Sequence, residues 1–132
     1  MIQATLTPES QKELLAKCEP IYKKIYAHHV TVVYQPNEAD MQKVSVGNGQ
    51  NVMIMIGRRF WANGVDAVEA KVYTMEGNEV PIKNAKPHIT ISTDNKPPVL
   101  SNDMLQGKGE FKDGFEGIDE GNLKLDAIIE FV

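Results

Sequence analysis

Residues 28–34 read HHVTVVY and residues 87–93 read PHITIST. Both runs are short and rich in β-branched residues. Gln35-Pro36-Asn37 punctuates the first and Lys96-Pro97-Pro98 closes the second, so both read as β-strands. Successive side chains on a strand point to opposite faces of a sheet. Val30, Val32, Ile89 and Ile91 therefore enter a core. His29, Thr31 and Val33 share the other face of the first strand, and His88, Thr90 and Ser92 that of the second. Alternation sends His28 to the face opposite His29. A chain with two such runs must build a sheet with one apolar face and one bearing histidine and threonine.

The remaining patterns supply the partners. Thr7-Pro8-Glu9 opens a helix: Thr7 caps it, Pro8 suits its first turn and Glu9 complements the positive end of its dipole. Leu14, Leu15, Cys18, Ile21, Tyr22 and Ile25 continue at helical spacing, and Pro20 predicts a kink or a break into two short helices. Glu38 to Ser45 suits a short helix. Val52 to Trp61 and Val65 to Thr74 read as strands joined by a hairpin at Ala62-Asn63-Gly64. A turn at Glu76-Gly77-Asn78 leads to a short run, Glu79 to Ile82. Ser101-Asn102-Asp103 starts a helix with Met104 and Leu105 as its apolar contacts. Gly107 to Gly121 reads as a surface loop. In the final LKLDAIIEFV, Leu123, Leu125, Ala127, Ile129 and Phe131 alternate as in a half-buried strand. Many strands with few helices give an α+β class, and residues 1–132 read as a single domain.

The 132 residues carry a formal net charge of −4, which argues against a sequence-independent grip on long nucleic acid. A small phosphate-bearing ligand stays compatible with an acidic protein. Cys18 is the only cysteine, so no intramolecular disulfide can form, and a reducing, cytoplasmic setting is expected. The amino terminus lacks a signal-peptide profile, and no apolar stretch is long enough to span a bilayer.

Chemistry enters with the repetition of His-x-Thr. The chain has three histidines and six threonines. Composition alone places threonine two residues after a given histidine only about once in twenty. Imidazole changes protonation near neutral pH, so two rings can serve as one base and one acid. A threonine two residues along stands on the same face, with a hydroxyl free to donate to a phosphate oxygen. Two His/Thr pairs facing each other would clamp one phosphate, with one imidazole activating water and the other protonating the departing oxygen. Such a mechanism requires no metal or other cofactor. His28-His29 makes a poor metal pair, because strand neighbours point apart and no carboxylate partner stands at ligand spacing.

Arg58-Arg59-Phe60-Trp61 joins basic and aromatic groups, so Arg59 and Trp61 are candidates to contact a phosphate and stack on a base. Tyr34, closing the first histidine strand, and Lys86, just before the second, are candidates for the rim of the same site.

The two motifs, with Val32 and Ile91 following, resemble the paired H-x-T signature of the two-histidine (2H) phosphoesterase superfamily. PHITIST followed by PPVLSNDML is similar to the cyclic phosphodiesterase domain of fungal and plant tRNA ligases. The resemblance implies a two-lobed α+β fold, with antiparallel sheets forming a central cleft and helices outside. His29, Thr31, His88 and Thr90 would line that cleft. It implies a metal-independent phosphodiesterase, and its expected partner is a small nucleotide or RNA end carrying a cyclic phosphate. Opening a 2′,3′-cyclic phosphate would leave a 2′-phosphate, with His88 favoured as base and His29 as acid. The protein is expected to be a monomer that needs no membrane. Two alternatives stay open. One is a viral-type 2H enzyme that degrades cyclic or 2′,5′-linked second messengers of host defence. The other is a non-catalytic module that binds a nucleotide or RNA end.

Overall fold

The computed structural model describes residues 1–84, 86–111, 116–121 and 123–132. In chain order the elements are β1 (Ile2–Leu6), α1 (Pro8–Lys17), β2 (Lys24–Ile25), β3 (His29–Val33), α2 (Glu38–Lys43), β4 (Asn51–Ala62), β5 (Val65–Thr74), β6 (His88–Thr93), α3 (Leu100–Gln106), β7 (Glu116–Asp119) and β8 (Lys124–Phe131). A 3₁₀ turn spans Gly109–Phe111.

Local chemistry explains most boundaries. Asn63 and Gly64 have φ of 45° and 82°, the left-handed region a two-residue hairpin turn requires, and they join β4 to β5 with Ala62 opposite Val65. Thr7 caps α1 by accepting from the Ser10 amide, with Pro8 in its first turn. Asn37 and Asp40 form a reciprocal capping box on α2. The twelve-residue β4 pairs β5 along one edge. Its other edge pairs β8 over Asn51–Met55 and β7 over Arg58–Trp61. Its register against β5 shifts between Ile56 and Arg59, an irregularity that bends the strand where it changes neighbours.

The strand order is β2-β6-β5-β4-β8-β1-β3, with β7 beside β4, and every pairing is antiparallel. The architecture is thus α+β, with an antiparallel eight-stranded sheet and three helices among the described residues. The two histidine strands stand near opposite ends of this order, yet Cα atoms of β3 and β6 approach within 8 Å, so the sheet curls until its ends meet. One face of the sheet makes the main core. Ile2 and Ala4, Val30 and Val32, Val52 and Ile54, Ile89 and Ile91, and Leu125 and Ile129 meet Leu14 of α1 and Cys18 at its C-terminal end. On the other side of β5, Val65 and Ala67 pack with Met104, Leu105 and Phe111, which seats α3.

Three sequence expectations change, and one unassigned segment proves to be a strand. The helical stripe stops at Cys18: α1 ends at Lys17 and no second helix follows Pro20. Ile21 and Ile25 are 44% and 51% exposed, and residues 24–25 instead pair with β6. Ile2–Leu6, unassigned above, is an inner strand between β8 and β3, with Ile2, Ala4 and Leu6 buried. The region Gly107–Gly121 contains the 3₁₀ turn and β7 rather than a plain loop, and residues 112–115 of it lie outside the described residues. Glu79–Ile82 contributes only a single bridge, Glu79 to Tyr73.

Candidate active site

One backbone turn puts the histidine strands side by side. Tyr26 and Ala27 donate their amides to the Ile91 and Thr90 carbonyls (2.8 Å each), extending the β2–β6 pairing. At His28 the chain changes partner, and the His28 carbonyl accepts from the Leu6 amide (2.8 Å) at the start of the β1–β3 pairing. Ala27 makes the switch with φ 52°, a left-handed conformation that costs a non-glycine residue about 1–2 kcal/mol. It is fully buried. The Lys83 amide then ties the chain before β6 to the Val32 carbonyl (3.2 Å).

The result is a cleft of about 690 Å³ that His29, Thr31, His88 and Thr90 all line. Each strand turns Val30/Val32 or Ile89/Ile91 into the core, as alternation requires. Tyr26, Tyr34, Pro98 and Val99 add apolar wall, and Gln35, Asn84, Asn102 and Gln106 add amides. Among the described residues of the lining, Lys83 is the one lysine and there is no arginine. Lys83 is already paired with Asp40 (2.9 Å).

The His88 ring is oriented. Its Nδ1 lies 2.8 Å from the Lys86 carbonyl oxygen. A carbonyl only accepts, so Nδ1 carries the proton and donates, and in the neutral ring Nε2 keeps its lone pair. Burial holds the His88 pKa below the ordinary imidazole value, against the opposing pull of that hydrogen bond. Burial also lowers His29, helped by the nearby His28 and His88 rings and opposed by Glu130. Both rings are therefore neutral at pH 7 in the unliganded protein, and an anion entering the cleft would favour protonating one of them.

The threonines differ in setting. Among the described residues, Thr31 Oγ1 has only a weak contact, with Met1 Sδ (3.9 Å). Thr90 Oγ1 stands 2.8 Å from Ser101 Oγ and 3.3 Å from the Pro98 carbonyl, so it fastens β6 to the start of α3. When Ser101 donates, the Thr90 proton is left for a long bond to the Pro98 carbonyl or for an acceptor entering the cleft. Ser101 is fully buried.

Of the rim candidates, Tyr34 lines the cleft and is 68% exposed. Arg59 does not line it. Its Nε and Nη2 make two 2.8 Å bonds to Asp66, and Nη2 also donates to the Glu19 carbonyl (2.6 Å), so its charge is consumed in the interior. Asp66 also accepts from Ser92 (2.7 Å) and from the Ile21 amide (3.3 Å), pinning the segment after α1 to the sheet. Trp61 lies outside the cleft, opposite Asp66 in the β4–β5 hairpin. The Lys86 side chain also lies outside the lining, and it is the Lys86 carbonyl that meets His88. His28 departs the other way: it borders the cleft, because the turn at Ala27 breaks strand alternation before β3 begins. Sequence reasoning missed Ser101, Asn84 and Asn102. The first two reach the site only through tertiary contacts. Asn102 and Gln106 were readable as one face of a helix at spacing i, i+4.

Among the described residues, no three or more His, Cys, Asp or Glu side chains cluster as a metal-binding group. No helix among them is long and apolar enough to cross a membrane. Cys18 is fully buried, and burial raises its pKa to about 11, which keeps it a protonated core residue.

The model of the fungal tRNA ligase phosphodiesterase domain matches residues 5–130 of this chain. The chain belongs to that family. Neither curated proteins nor solved structures give a match. This phosphodiesterase family is one of the 2H families, so the resemblance to that superfamily and the α+β antiparallel architecture stand together. A phosphodiesterase role follows at the level of the family.

Proposed function

We propose that the protein is a metal-independent cyclic phosphodiesterase that opens the 2′,3′-cyclic phosphate of a nucleotide or RNA end, leaving a 2′-phosphate. His88 Nε2 takes a proton from water as the water oxygen bonds to phosphorus. The bond from phosphorus to O3′ breaks, and protonated His29 gives its proton to that oxygen. Thr31 and Thr90 hold the two non-bridging oxygens, where charge accumulates in the transition state. The observation that carries this reading is the His88 Nδ1 bond to the Lys86 carbonyl, which leaves Nε2 as the basic atom of a neutral ring in a cleft shared with the second histidine.

The charge of the cleft favours a substrate with one phosphate. Among the described residues its single lysine is compensated by Asp40, and burial lowers the pKa values of His29 and His88, so a multiply charged ligand would find few cations. This favours a nucleoside cyclic phosphate over a cyclic dinucleotide or a long 2′,5′-linked chain. The test is hydrolysis of 2′,3′-cyclic nucleotides in excess chelator, with the product identified by phosphorus NMR. Release of the nucleoside 2′-monophosphate is expected. Absence of turnover at every pH would leave a binding module instead.

A further inference from the structure

The amides of the cleft form a directed chain whose polarity can be worked out from its fixed ends. The Lys86 amide N–H donates to Asn84 Oδ1 (3.0 Å). An N–H cannot accept, so this bond decides which end of the Asn84 amide faces Lys86. Asn84 Nδ2 must then be the donor in its 2.6 Å bond to Asn102, and Asn102 Oδ1 the acceptor. The Asn102 NH2 group is left over, and among the described residues nothing takes its hydrogens. Asn102 is only partly exposed and lines the cleft, as does Gln106 one turn further along α3. At the mouth, Tyr34 and Val99 expose 68% and 64% of their surface beside the same space.

We propose that Asn102, with Gln106, forms a nucleobase subsite, in which the locked Asn102 amide donates to a ring nitrogen or carbonyl on the edge of the base. The inference rests on the cyclic-phosphate reading and adds the part of the ligand that reading leaves undefined. A freely rotating asparagine could offer either end to a ligand. Asn102 is committed by Asn84 to its donor end, so the site selects for acceptors. Tyr34 offers the base a flat apolar face at the opening. The wall is also tied to the reacting centre: α3 is fastened to β6 by Thr90 and Ser101, and Lys86, which orients Asn84 through its amide, holds the His88 ring through its carbonyl.

The experiment compares the 2′,3′-cyclic phosphates of the four common nucleosides with methyl ribofuranoside 2,3-cyclic phosphate, which has no base. Wild type is set against N102A, N102D and Q106A, each checked by thermal unfolding. N102A removes the donor, and N102D keeps the shape while replacing donor by acceptor. For the nucleosides, kcat/KM is expected to fall roughly five- to tenfold in both Asn102 variants, mainly through KM, with a smaller loss in Q106A. The methyl riboside is expected to react equally well with all four proteins. An equal loss on both kinds of substrate would overturn the subsite and make Asn102 a positioning residue for His88. So would no loss on either. If wild type hydrolyses none of the five compounds, the phosphodiesterase reading falls. The subsite is then decided by calorimetry with the four nucleoside 2′-monophosphates and methyl riboside 2-phosphate. Base-dependent affinity that N102A abolishes supports it, and base-independent or absent binding overturns it.

Discussion

At the scale of single residues, the two histidines look alike in the sequence and differ in the folded protein. His88 has a hydrogen-bonded Nδ1 and a fixed tautomer, whereas His29 is tuned by burial and by its histidine neighbours. The base of the proposed mechanism must present a lone pair in one direction, and the Lys86 carbonyl would supply that constraint to His88. Replacing either ring with alanine is expected to lower kcat by roughly 10²- to 10⁴-fold, the range for loss of a general acid or base. Neither change should lower the melting temperature much, because each ring is desolvated and held below its ordinary pKa. A large drop in stability alongside the loss of rate would mean that the rings are packing residues. Thr90→Val should cost rate and also loosen α3, because Thr90 Oγ1 bonds both Ser101 and Pro98. Thr31→Val, with only a weak partner at Met1, should cost rate alone. Single-turnover kinetics together with thermal melts would separate the two.

At the scale of elements, the site depends on how strands are joined. Arg59 and Asp66 lie near the Asn63-Gly64 turn, on strands that carry them to the same face as a diagonal pair. The pair could have been read from the hairpin register, since Trp61 opposite Asp66 puts Arg59 two residues along on that face. Composition alone, basic beside aromatic, pointed instead to a ligand. Arg59→Ala is expected to cost about 3–5 kcal/mol, because it leaves the Asp66 carboxylate buried with its main partner gone. Activity measured well below the melting temperature should stay near wild type, since Arg59 lies outside the cleft; a selective KM defect would reinstate it as a substrate contact. Strand alternation made His29, Thr31, His88 and Thr90 legible because it is a local rule that holds inside a strand. It failed at His28, one residue outside, where Ala27 turns the chain at φ 52°. The apparent helical stripe through Ile25 failed because spacing cannot reveal that residues 24–27 find a better partner in β6. Ala27→Gly is expected to hold or raise stability by up to about 1 kcal/mol by removing left-handed strain. Ala27→Val, β-branched at a fully buried left-handed position, should lower both stability and rate, because it disturbs the turn that sets β3 against β6. Denaturant melts of the two variants would check the opposite signs.

At the scale of the whole molecule, the curl of the sheet brings both histidines into one cleft, and their partial burial there has a pH signature in folding and in catalysis. Both imidazoles have pKa values lowered by burial in the folded protein, while in the unfolded chain they return to about 6.5. As pH falls through 6.5 the unfolded chain takes up protons that the folded protein still refuses. Unfolding is then favoured, so stability rises with pH across this window. The contribution is fully present above 6.5 and is lost progressively as pH drops towards the folded values. Carboxylates such as Asp40, held below their ordinary value by Lys83, act only at much lower pH and do not obscure it. Denaturant midpoints between pH 7.5 and 5 should therefore fall for wild type and stay flatter for a double variant with asparagine at positions 29 and 88. The proposed mechanism needs one ring neutral and one protonated, so kcat/KM, which reports the free protein, should be bell-shaped with its maximum on the acid side of 6.5. A bound phosphate anion favours the imidazolium, so the kcat profile should move to higher pH. Profiles centred above 7 for kcat/KM, or a double variant with the wild-type slope of stability against pH, would show that burial does not set the protonation of this pair.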